Sequence, residues 1–195
     1  MAYYLAMTAT YFVLSEGYVS PGVASTVSLV VDGEKKIIID PGMVASRVNI
    51  LAPLEKHDIS PEEVTDVVVS HLHIDHTINI AIFPNATVHD FMASYKNDSW
   101  TDHEESPFQL SPNVKLYATP GHTREDITTV VATEDGVVAF THLWWTKKGP
   151  IEDPYSYDLA ELRASRQLVL NLNPSVIVPG HGSPFAFDGD ATKLL

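Results

Sequence analysis

The sequence contains no cysteine and no long apolar run. Without cysteine the chain cannot form disulfides, thiolate zinc sites, iron–sulfur clusters or a thiol nucleophile. Because no apolar run reaches about 18 residues, no transmembrane helix is predicted. Residues 1–14 are apolar but lack the basic start and the small-residue cleavage site of a signal peptide, so we interpret them as a strand. We therefore expect a cytoplasmic protein that does not associate with membranes.

Basic residues are scarce as well. Lys and Arg number 12 against 25 Asp and Glu, which gives a formal net charge of −13. An acidic surface repels phosphate backbones, so nucleic acid is a disfavoured partner and a small-molecule substrate is expected. The 195 residues, 45% of them hydrophobic, predict a single globular domain over residues 1–195.

Short apolar segments separated by turn signals run along most of the chain. Helices are predicted at residues 44–57, 77–83 and 158–170, and Ser60-Pro61 begins a further short helix. Strands are predicted at residues 11–14, 26–31, 36–39, 67–69, 87–89, 115–118, 128–132, 137–140 and 176–178. Residues 94–112 and 144–157 carry no clear pattern. Because polar residues gather where strands end, the pattern indicates an α/β protein with its functional site on one rim.

Four side chains of metal-binding type lie within six residues after the strand at 67–69. His71 and His73 are two apart, which places both side chains on the same side of an extended segment. Asp75 and His76 lie in the turn that follows. This density of ligands is not explained by packing. Imidazoles with a carboxylate suit Zn²⁺, one or two ions per chain, and are also compatible with iron or manganese.

Three more of the nine histidines each follow a predicted strand. His122 and His181 each follow a Pro-Gly turn, which fixes the backbone and leaves the imidazole free. His142 follows the strand at 137–140. Three histidines do not share this position and are interpreted as ordinary surface or core residues: His57, His89 and His103.

The ordered set of these motifs resembles the metal-binding pattern of the metallo-β-lactamase superfamily. The resemblance extends from Val27 to Phe185 and includes Asp40, which follows an isoleucine-rich strand. It implies an α/β fold of the αββα type, the four-layer metallo-β-lactamase sandwich. By this resemblance Asp40 hydrogen-bonds a ligand imidazole or the ligand loop. The implied ligands are His71, His73 and His122 for a first metal, and Asp75, His76 and His181 for a second.

Three stretches are most similar to a group of short superfamily members without appended domains. They are Glu16-Gly17-Tyr18, the run from Asn79 to Phe91, and the run from Val178 to Phe185. The similarity implies a cytosolic hydrolase, and an animal member of the group is linked with cleavage of histone messenger RNA precursors. An RNA substrate is unexpected here because the net charge is −13.

His142 departs from the pattern that the resemblance implies. Dinuclear members carry an aspartate at this place, and its carboxylate bridges both metals, whereas this sequence has Thr141-His142. A neutral imidazole offers one lone pair and no negative charge, so it cannot bridge in the same way. His142 would then either bind one metal terminally or point away. We expect weaker occupancy of one site, or a single metal.

The resemblance predicts a metal-dependent hydrolase that uses a metal-activated water on an ester, thioester or lactone. Asp75 is the expected catalytic residue, because its carboxylate is free to orient or deprotonate the water when only the first metal is bound. Three alternatives stay open: a phosphodiesterase or RNA endonuclease, an iron-dependent oxygenase or redox protein, and a non-enzymatic metal-binding module. A homodimer is the expected assembly, because two-fold assemblies are the commonest.

Aromatic residues flank the strand at 137–140 and have two interpretations. Four of them could form a wall of the substrate pocket, or serve as buried or dimer-contact residues: Trp144, Trp145, Tyr155 and Tyr157. Lys147 and Lys148 are interpreted as solvated surface.

Overall fold

The computed structural model describes residues 8–195, which form two mixed β-sheets. The strands of the first sheet follow the order of the chain: β1 Thr10–Ser15, β2 Val27–Asp32, β3 Lys35–Ile39, β4 Asp66–Val68, β5 Thr87–His89, β6 Ala93–Lys96 and β7 Ser99–Asp102. In this sheet β3 pairs with β4 and β4 with β5 in parallel, and the other pairs are antiparallel.

The strands of the second sheet are β8 Phe108–Ser111, β9 Val114–Ala118, β10 Ile127–Thr133, β11 Gly136–Thr141, β12 Val176–Pro179 and β13 Phe185–Ala186. Their order across the sheet is β13-β12-β11-β10-β9-β8, and the parallel pair is β11 with β12. The α-helices are α1 Val48–Lys56, α2 Ile74–Thr77 and α3 Leu159–Asn171, and short 3-10 helices span Pro61–Glu63, Ile80–Ile82 and Ala191–Lys193. Among residues 8–195, no helix has the length and apolar character needed to cross a membrane.

Alternating apolar side chains on the central strands produce the layers. Ile37 and Ile39 of β3 pack with Phe140 of β11 in a core between the two sheets. Ile38 faces the opposite way and packs against helix α1, while Ala139 packs against helix α3. The period of two along each strand therefore gives helix, sheet, sheet and helix in sequence. This arrangement confirms the predicted αββα sandwich.

Two predicted helices have different bounds in the structure. Helix α1 begins at Val48 rather than at Val44, because the backbone of Met43 is held by Asp75 and Ser25 in hydrogen bonds that do not belong to a helix. The helix predicted at residues 77–83 is interrupted. The N–H of Asn79 donates to the carbonyl of Pro41, whereas in a continuous helix it would donate to the carbonyl of Asp75.

The segment at residues 94–112, which carries no clear sequence pattern, contains most of β6 and all of β7 and β8. All four residues of β7 are exposed, so the strand lacks the alternation that identifies a half-buried strand. The predicted hairpin turn lies at Gly33 and Glu34 rather than at Asp32-Gly33, and Gly33 has a φ of +61°. Asp32 remains in β2, where its carboxylate accepts a hydrogen bond from the side chain of Asn113 at 2.8 Å.

A buried carboxylate, Asp66, organises a polar chain within the first sheet. Its oxygens lie 2.8 Å and 3.0 Å from Nζ of Lys35, and 2.9 Å from Nε2 of His89. His89 in turn contacts Ser94, whose hydroxyl lies 2.9 Å from Nε2 of His103. Two of the three histidines interpreted as ordinary residues therefore have partners of their own in this chain.

We expect Asp66→Asn to lower the free energy of unfolding by about 2 kcal/mol at pH 7. Burial alone would raise the pKa of Asp66, but hydrogen bonds from His89 and Lys35 lower it from 3.8 to about 2. A carboxyl whose pKa is lowered by folding stabilises the protein above its unfolded pKa, and this stabilisation disappears as the pH falls through the folded pKa. The difference between wild type and variant should therefore shrink between about pH 4 and about pH 2.

Urea unfolding followed by circular dichroism measures this difference. Glu63→Gln is the control, because Glu63 forms a solvent-screened pair with Lys36 and should matter much less. Equal stabilities of wild type and Asp66→Asn at pH 7 would show that the buried carboxylate is not a stabilising charge.

Candidate metal centre

All seven predicted ligands meet at one rim of the sandwich. The first sheet supplies the segment after β4, and the second sheet supplies the loops after β9, β11 and β12. Their donor atoms fall into three overlapping groups that could each hold a metal ion. The residues brought together are His71, His73, Asp75, His76, His122, His142 and His181.

The first trio consists of His71, His73 and His122. Nδ1 of His73 lies 3.0 Å from Nε2 of His71 and 3.1 Å from Nε2 of His122. Three ring nitrogens thus converge on one point. Their rings meet nearly at right angles, with interplanar angles of 77°, 82° and 88°. The three rings therefore present their nitrogen donors from different directions, and the exposed His73 lies on the solvent side of the group.

The second trio consists of Asp75, His76 and His181. One carboxylate oxygen of Asp75 lies 3.6 Å from Nε2 of His76 and 3.6 Å from Nε2 of His181. Both imidazoles are buried, and the side chain of Asp75 keeps 17% of its exposure. The second trio therefore contributes the only carboxylate among the ligand groups found in residues 8–195.

Hydrogen bonds outside the cluster fix which nitrogen of each ring faces inward. Nδ1 of His76 lies 2.8 Å from a carboxylate oxygen of Asp40, and Nδ1 of His181 lies 2.8 Å from the carbonyl of Ala24. Nδ1 of His122 lies 2.7 Å from Asp153. Since these oxygens only accept, the proton of each ring resides on Nδ1 and the lone pair of Nε2 points into the cluster.

The same logic applies to His71 through one more residue. The hydroxyl of Ser70 donates to Asp40 at 2.7 Å, so its oxygen accepts from Nδ1 of His71 at 3.1 Å. The backbone N–H of Ser70 also donates to Asp40, at 2.6 Å. Asp40 therefore orients two imidazoles at once, and it contacts a cluster imidazole as the sequence predicts.

Four imidazoles of the cluster favour the neutral form, in which a ring nitrogen can bind a cation. Burial, followed by repulsion from neighbouring imidazoles, lowers the pKa of His71 and His142 well below the usual value. Burial also lowers the pKa of His73 and His181. Nε2 of His76 and Nδ1 of His142 are buried without a hydrogen-bond partner in residues 8–195. Unpartnered lone pairs of this kind, beside a carboxylate, fit a divalent metal ion.

Two glycines allow the backbone to bring these side chains together. A Cβ at Gly42 would lie 1.7 Å from the carbonyl oxygen of Asp75, so the turn after β3 can pack against helix α2 only as glycine. A Cβ at Gly180 would lie 2.3 Å from Cδ2 of His142. The Pro-Gly-His turn at residues 179–181 therefore leaves room for an imidazole from the neighbouring strand.

His142 lies inside the cluster and does not point away. Its ring centroid lies 4.5 Å from that of His71 and 4.3 Å from that of His122. Nε2 of His142 lies 3.1 Å from Nε2 of His181. Because Nδ1 of His181 carries its proton, this contact requires His142 to donate to the lone pair that His181 would otherwise give to a metal.

Asp153 is a site residue that the sequence does not reveal. It lies in the segment at 144–157, and no local signal distinguishes it from the neighbouring Glu152. One of its oxygens accepts from His122 at 2.7 Å and from Nε1 of Trp145 at 2.9 Å. Burial alone would raise the pKa of Asp153, but hydrogen bonds from His122, Tyr155 and Trp145 hold it below the usual value. The group is therefore an ionised carboxylate that ties a cluster histidine to an aromatic ring.

A cavity of about 430 Å³ opens beside the cluster. Besides the cluster residues, its lining consists of Val19, Val23, Trp145 and Tyr155. Two of the four aromatic residues predicted as a pocket wall thus line this cavity.

The other two aromatic residues are placed differently from the pocket-wall interpretation. Trp144 is fully buried in the core beside α3, and its Nε1 donates to the carbonyl of Leu194 at 2.9 Å. Tyr157 is 40% exposed, and Arg124 lies 5.2 Å from the centre of its ring. The two adjacent tryptophans therefore differ: Trp144 packs in the core beside α3, and Trp145 lines the cavity.

Residues 20–143 match the family model of the metallo-beta-lactamase superfamily. Because this span covers more than half of the sequence, the chain belongs to the metallo-beta-lactamase superfamily. Among its relatives, metallo-beta-lactamase domain-containing protein 1 of Homo sapiens is 36% identical over 168 residues, which cover 80% of this chain and 62% of the human protein. The chain therefore spans less than two thirds of the length of that relative.

Two solved structures share the fold. An N-acyl homoserine lactone hydrolase, with the product N-hexanoyl-L-homoserine bound at its catalytic metal centre, is 21% identical with a TM-score of 0.61 and covers 90% of each chain. The chemotaxis sensor ODP, whose structure shows a peroxy diiron species, is 16% identical with a TM-score of 0.68. The match covers 100% of this chain and 92% of that one. At these identities the likeness shows the fold alone.

We expect Asp153→Asn to weaken metal binding about tenfold to 100-fold. An amide has a single oxygen and no negative charge. If that oxygen keeps the hydrogen bonds from His122 and Trp145, the NH₂ group faces the backbone N–H of Tyr155, so the asparagine holds the imidazole less firmly than the carboxylate does. Competition with a chromophoric chelator measures the Zn²⁺ affinity. Asp66→Asn is the matched control, because it removes a carboxylate–imidazole pair outside the cluster. Equal affinities in wild type and Asp153→Asn would contradict this role.

We expect wild type purified without added metal to hold about one ion per chain, and His142→Asp to hold about two. The aspartate supplies a negative charge and a second oxygen, and it frees the lone pair of His181. Plasma mass spectrometry measures the metal content, with His57→Asp as a control outside the cluster. Two ions per chain in wild type would show that His142 does not limit occupancy.

Proposed function

We propose that this chain is a metal-dependent hydrolase that cleaves an ester, thioester or lactone-type bond. The observation that carries the proposal is the convergence of two ligand trios at the inner end of an open cavity. Membership of the superfamily supports it. The lactone hydrolase of the same fold, which binds its product at a metal centre, supports it further.

The proposed metal ligands form two groups, one for each ion. His71, His73 and His122 would hold one ion, and the second trio would hold another, with Zn²⁺ as the expected metal. A divalent cation bound there would lower the pKa of a coordinated water to about 7 and would stabilise negative charge on a carbonyl oxygen. The protonated Nδ1 atoms of the cluster face Asp40, Asp153 and Ala24, so the outer hydrogen bonds keep the donor atoms in place during turnover.

Asp75 is the proposed base. Its carboxylate lies on the cavity surface, and it keeps partial solvent access while His76 and His181 are buried beneath it. When the second trio holds no ion, this carboxylate is free to take a proton from water. In the reaction the water oxygen forms a bond to the carbonyl carbon, and the acyl–oxygen or acyl–sulfur bond breaks. The proton taken by Asp75 ends on the leaving group.

An ester-type substrate is favoured over a polynucleotide by charge. Among residues 8–195, the lining of the cavity includes neither Lys nor Arg, and the chain carries a net charge of −13. A phosphodiester backbone needs cationic partners along its length. The RNA endonuclease remains the alternative that the assay below tests directly.

A second candidate function is that of an iron-dependent oxygenase or redox protein. It is favoured by His142, which gives the cluster six imidazoles and one carboxylate, a set that also suits iron. The similarity in fold to the diiron sensor supports this candidate. The metal found in protein purified without added metal separates the two functions, because iron with oxygen-dependent absorbance would favour the second.

We expect Asp75→Ala to lower kcat at least about 100-fold on any ester, thioester or lactone that the wild type hydrolyses. The substitution removes the proposed base and the carboxylate of the second trio. Circular dichroism and the melting temperature should show an intact fold, and Asp98→Ala, in an exposed turn, serves as the control carboxylate.

Chelation should abolish turnover and Zn²⁺ should restore it. The panel should include acyl thioesters, lactones and simple esters beside bis-p-nitrophenyl phosphate. Turnover of the phosphodiester alone would replace the proposal by the nuclease alternative. Full activity of metal-free protein, or of Asp75→Ala, would overturn the mechanism.

A further inference from the structure

Two pairs of apolar residues line the cavity beside the imidazoles and Asp75. One consists of Trp145 and Tyr155, which we name the aromatic shelf, and whose rings stack with centroids 5.7 Å apart and an interplanar angle of 6°. The other consists of Val19 and Val23, which are 43% and 38% exposed. Apolar groups left open at a cavity gain free energy when a ligand covers them.

Hydrogen bonds to Asp153 hold the aromatic shelf in place. Asp153 accepts a hydrogen bond from Nε1 of Trp145 at 2.9 Å and another from the backbone N–H of Tyr155 at 2.8 Å. Both aromatic residues are therefore positioned by one buried carboxylate, which is also the partner of His122. A rigid aromatic surface binds a flat partner with little loss of conformational entropy.

The shelf begins beside the metal ligands and ends in solvent. The ring centroid of Trp145 lies 6.4 Å from those of His122 and His142 and 6.5 Å from that of His181. Tyr155 is 72% exposed and forms the outer part. A substrate whose scissile bond lies at the imidazoles would place its adjacent group on the shelf.

Charge restricts that group further. Apart from the Tyr155 phenol, the ionisable residues that line this cavity, in the part of the chain that the structure describes, are the imidazoles and the acidic Asp75. A carboxylate or phosphate on the distal part of a substrate would find no cationic side chain there and would meet an acidic surface.

We infer that the substrate carries an uncharged, planar aromatic group next to the bond that is cleaved, and that this group packs against the aromatic shelf in the cavity that Val19 and Val23 also line. The inference rests on the proposed hydrolase function and names the substrate class of the same site. Tyr155 is thereby a specificity-determining residue.

The test compares methyl phenylacetate with methyl cyclohexylacetate, which has a similar apolar area but no flat ring, and with the methyl ester of 4-carboxyphenylacetate, which adds a charge. We expect kcat/KM for the phenyl ester to exceed that for the cyclohexyl ester by about threefold to tenfold. The charged ester should be the poorest. In Tyr155→Ala the ratio of phenyl to cyclohexyl should fall to about one, whereas Tyr155→Phe should keep it. Trp100→Ala, an exposed aromatic outside the cavity, is the control that should leave the ratio unchanged.

A binding measurement separates this inference from the hydrolase proposal. N-benzylacetamide and N-(cyclohexylmethyl)acetamide probe the shelf without turnover, and ligand-observed NMR gives their dissociation constants with the zinc-loaded protein. If no ester is hydrolysed but the benzyl compound binds better in wild type and not in Tyr155→Ala, the hydrolase proposal fails and the ligand class stands. Equal ratios for wild type and Tyr155→Ala in both measurements, or no binding of either probe together with no phenyl preference, would overturn the inference.

Discussion

The candidate metal centre depends on the position of its imidazole protons, which acceptors around the histidine cluster hold on the outward-facing ring nitrogens. In the first trio, ring nitrogens approach one another to 3.0 Å and 3.1 Å, a separation at which facing lone pairs repel unless something positive lies between them. Acceptors outside the cluster keep the proton of each anchored ring on Nδ1, and this leaves the inward nitrogens without protons. Hydrogen bonds to acceptors outside the cluster therefore prepare the inward ring nitrogens for a cation, although these acceptors would not contact the cation themselves. The glycine at residue 42, the interruption after helix α2 and the tight turns at the strand ends all serve to bring these outer acceptors within reach.

The two trios differ in a way that follows from their surroundings. The first trio consists of imidazoles alone. The carboxylates that orient it, Asp40 and Asp153, lie outside the trio; Asp153 contacts His122 directly, and Asp40 acts on His71 through Ser70. The second trio has its own carboxylate, yet it shares His181 with the contact to His142. A neutral residue at position 142 therefore affects the second trio more than the first. This asymmetry favours unequal affinity for two ions, and it underlies the proposal that Asp75 acts as a ligand or as a base.

Much of the site could be predicted because metal ligands obey local rules. The spacing of His71 and His73, the position of Asp75 and His76, and the histidines after later strands are visible in a single sequence. The strand and helix pattern predicts an α/β protein, and the resemblance to the superfamily implies the four-layer sandwich. Asp153 could not be predicted, because its role arises from contacts across 31 residues of chain and from no local pattern. The break after Thr77 depends on hydrogen bonds to the turn at residues 41–43, which is also distant in sequence. Trp144 and Trp145 are adjacent and chemically alike, so only the direction of each side chain decides which one lines the cavity.

The ligands come from both halves of the chain, and this has a mechanical consequence. The segment after β4 belongs to one sheet and the later histidines belong to the other, while direct ties between them at this rim include Ile127 to Ser70 and Thr26 to Gly180, each at 2.8 Å. An ion held by both sides acts as a reversible cross-link in a chain that has no cysteine to form a permanent one. The resistance of the folded protein to being pulled apart along this seam would then vary with the free metal concentration of its surroundings.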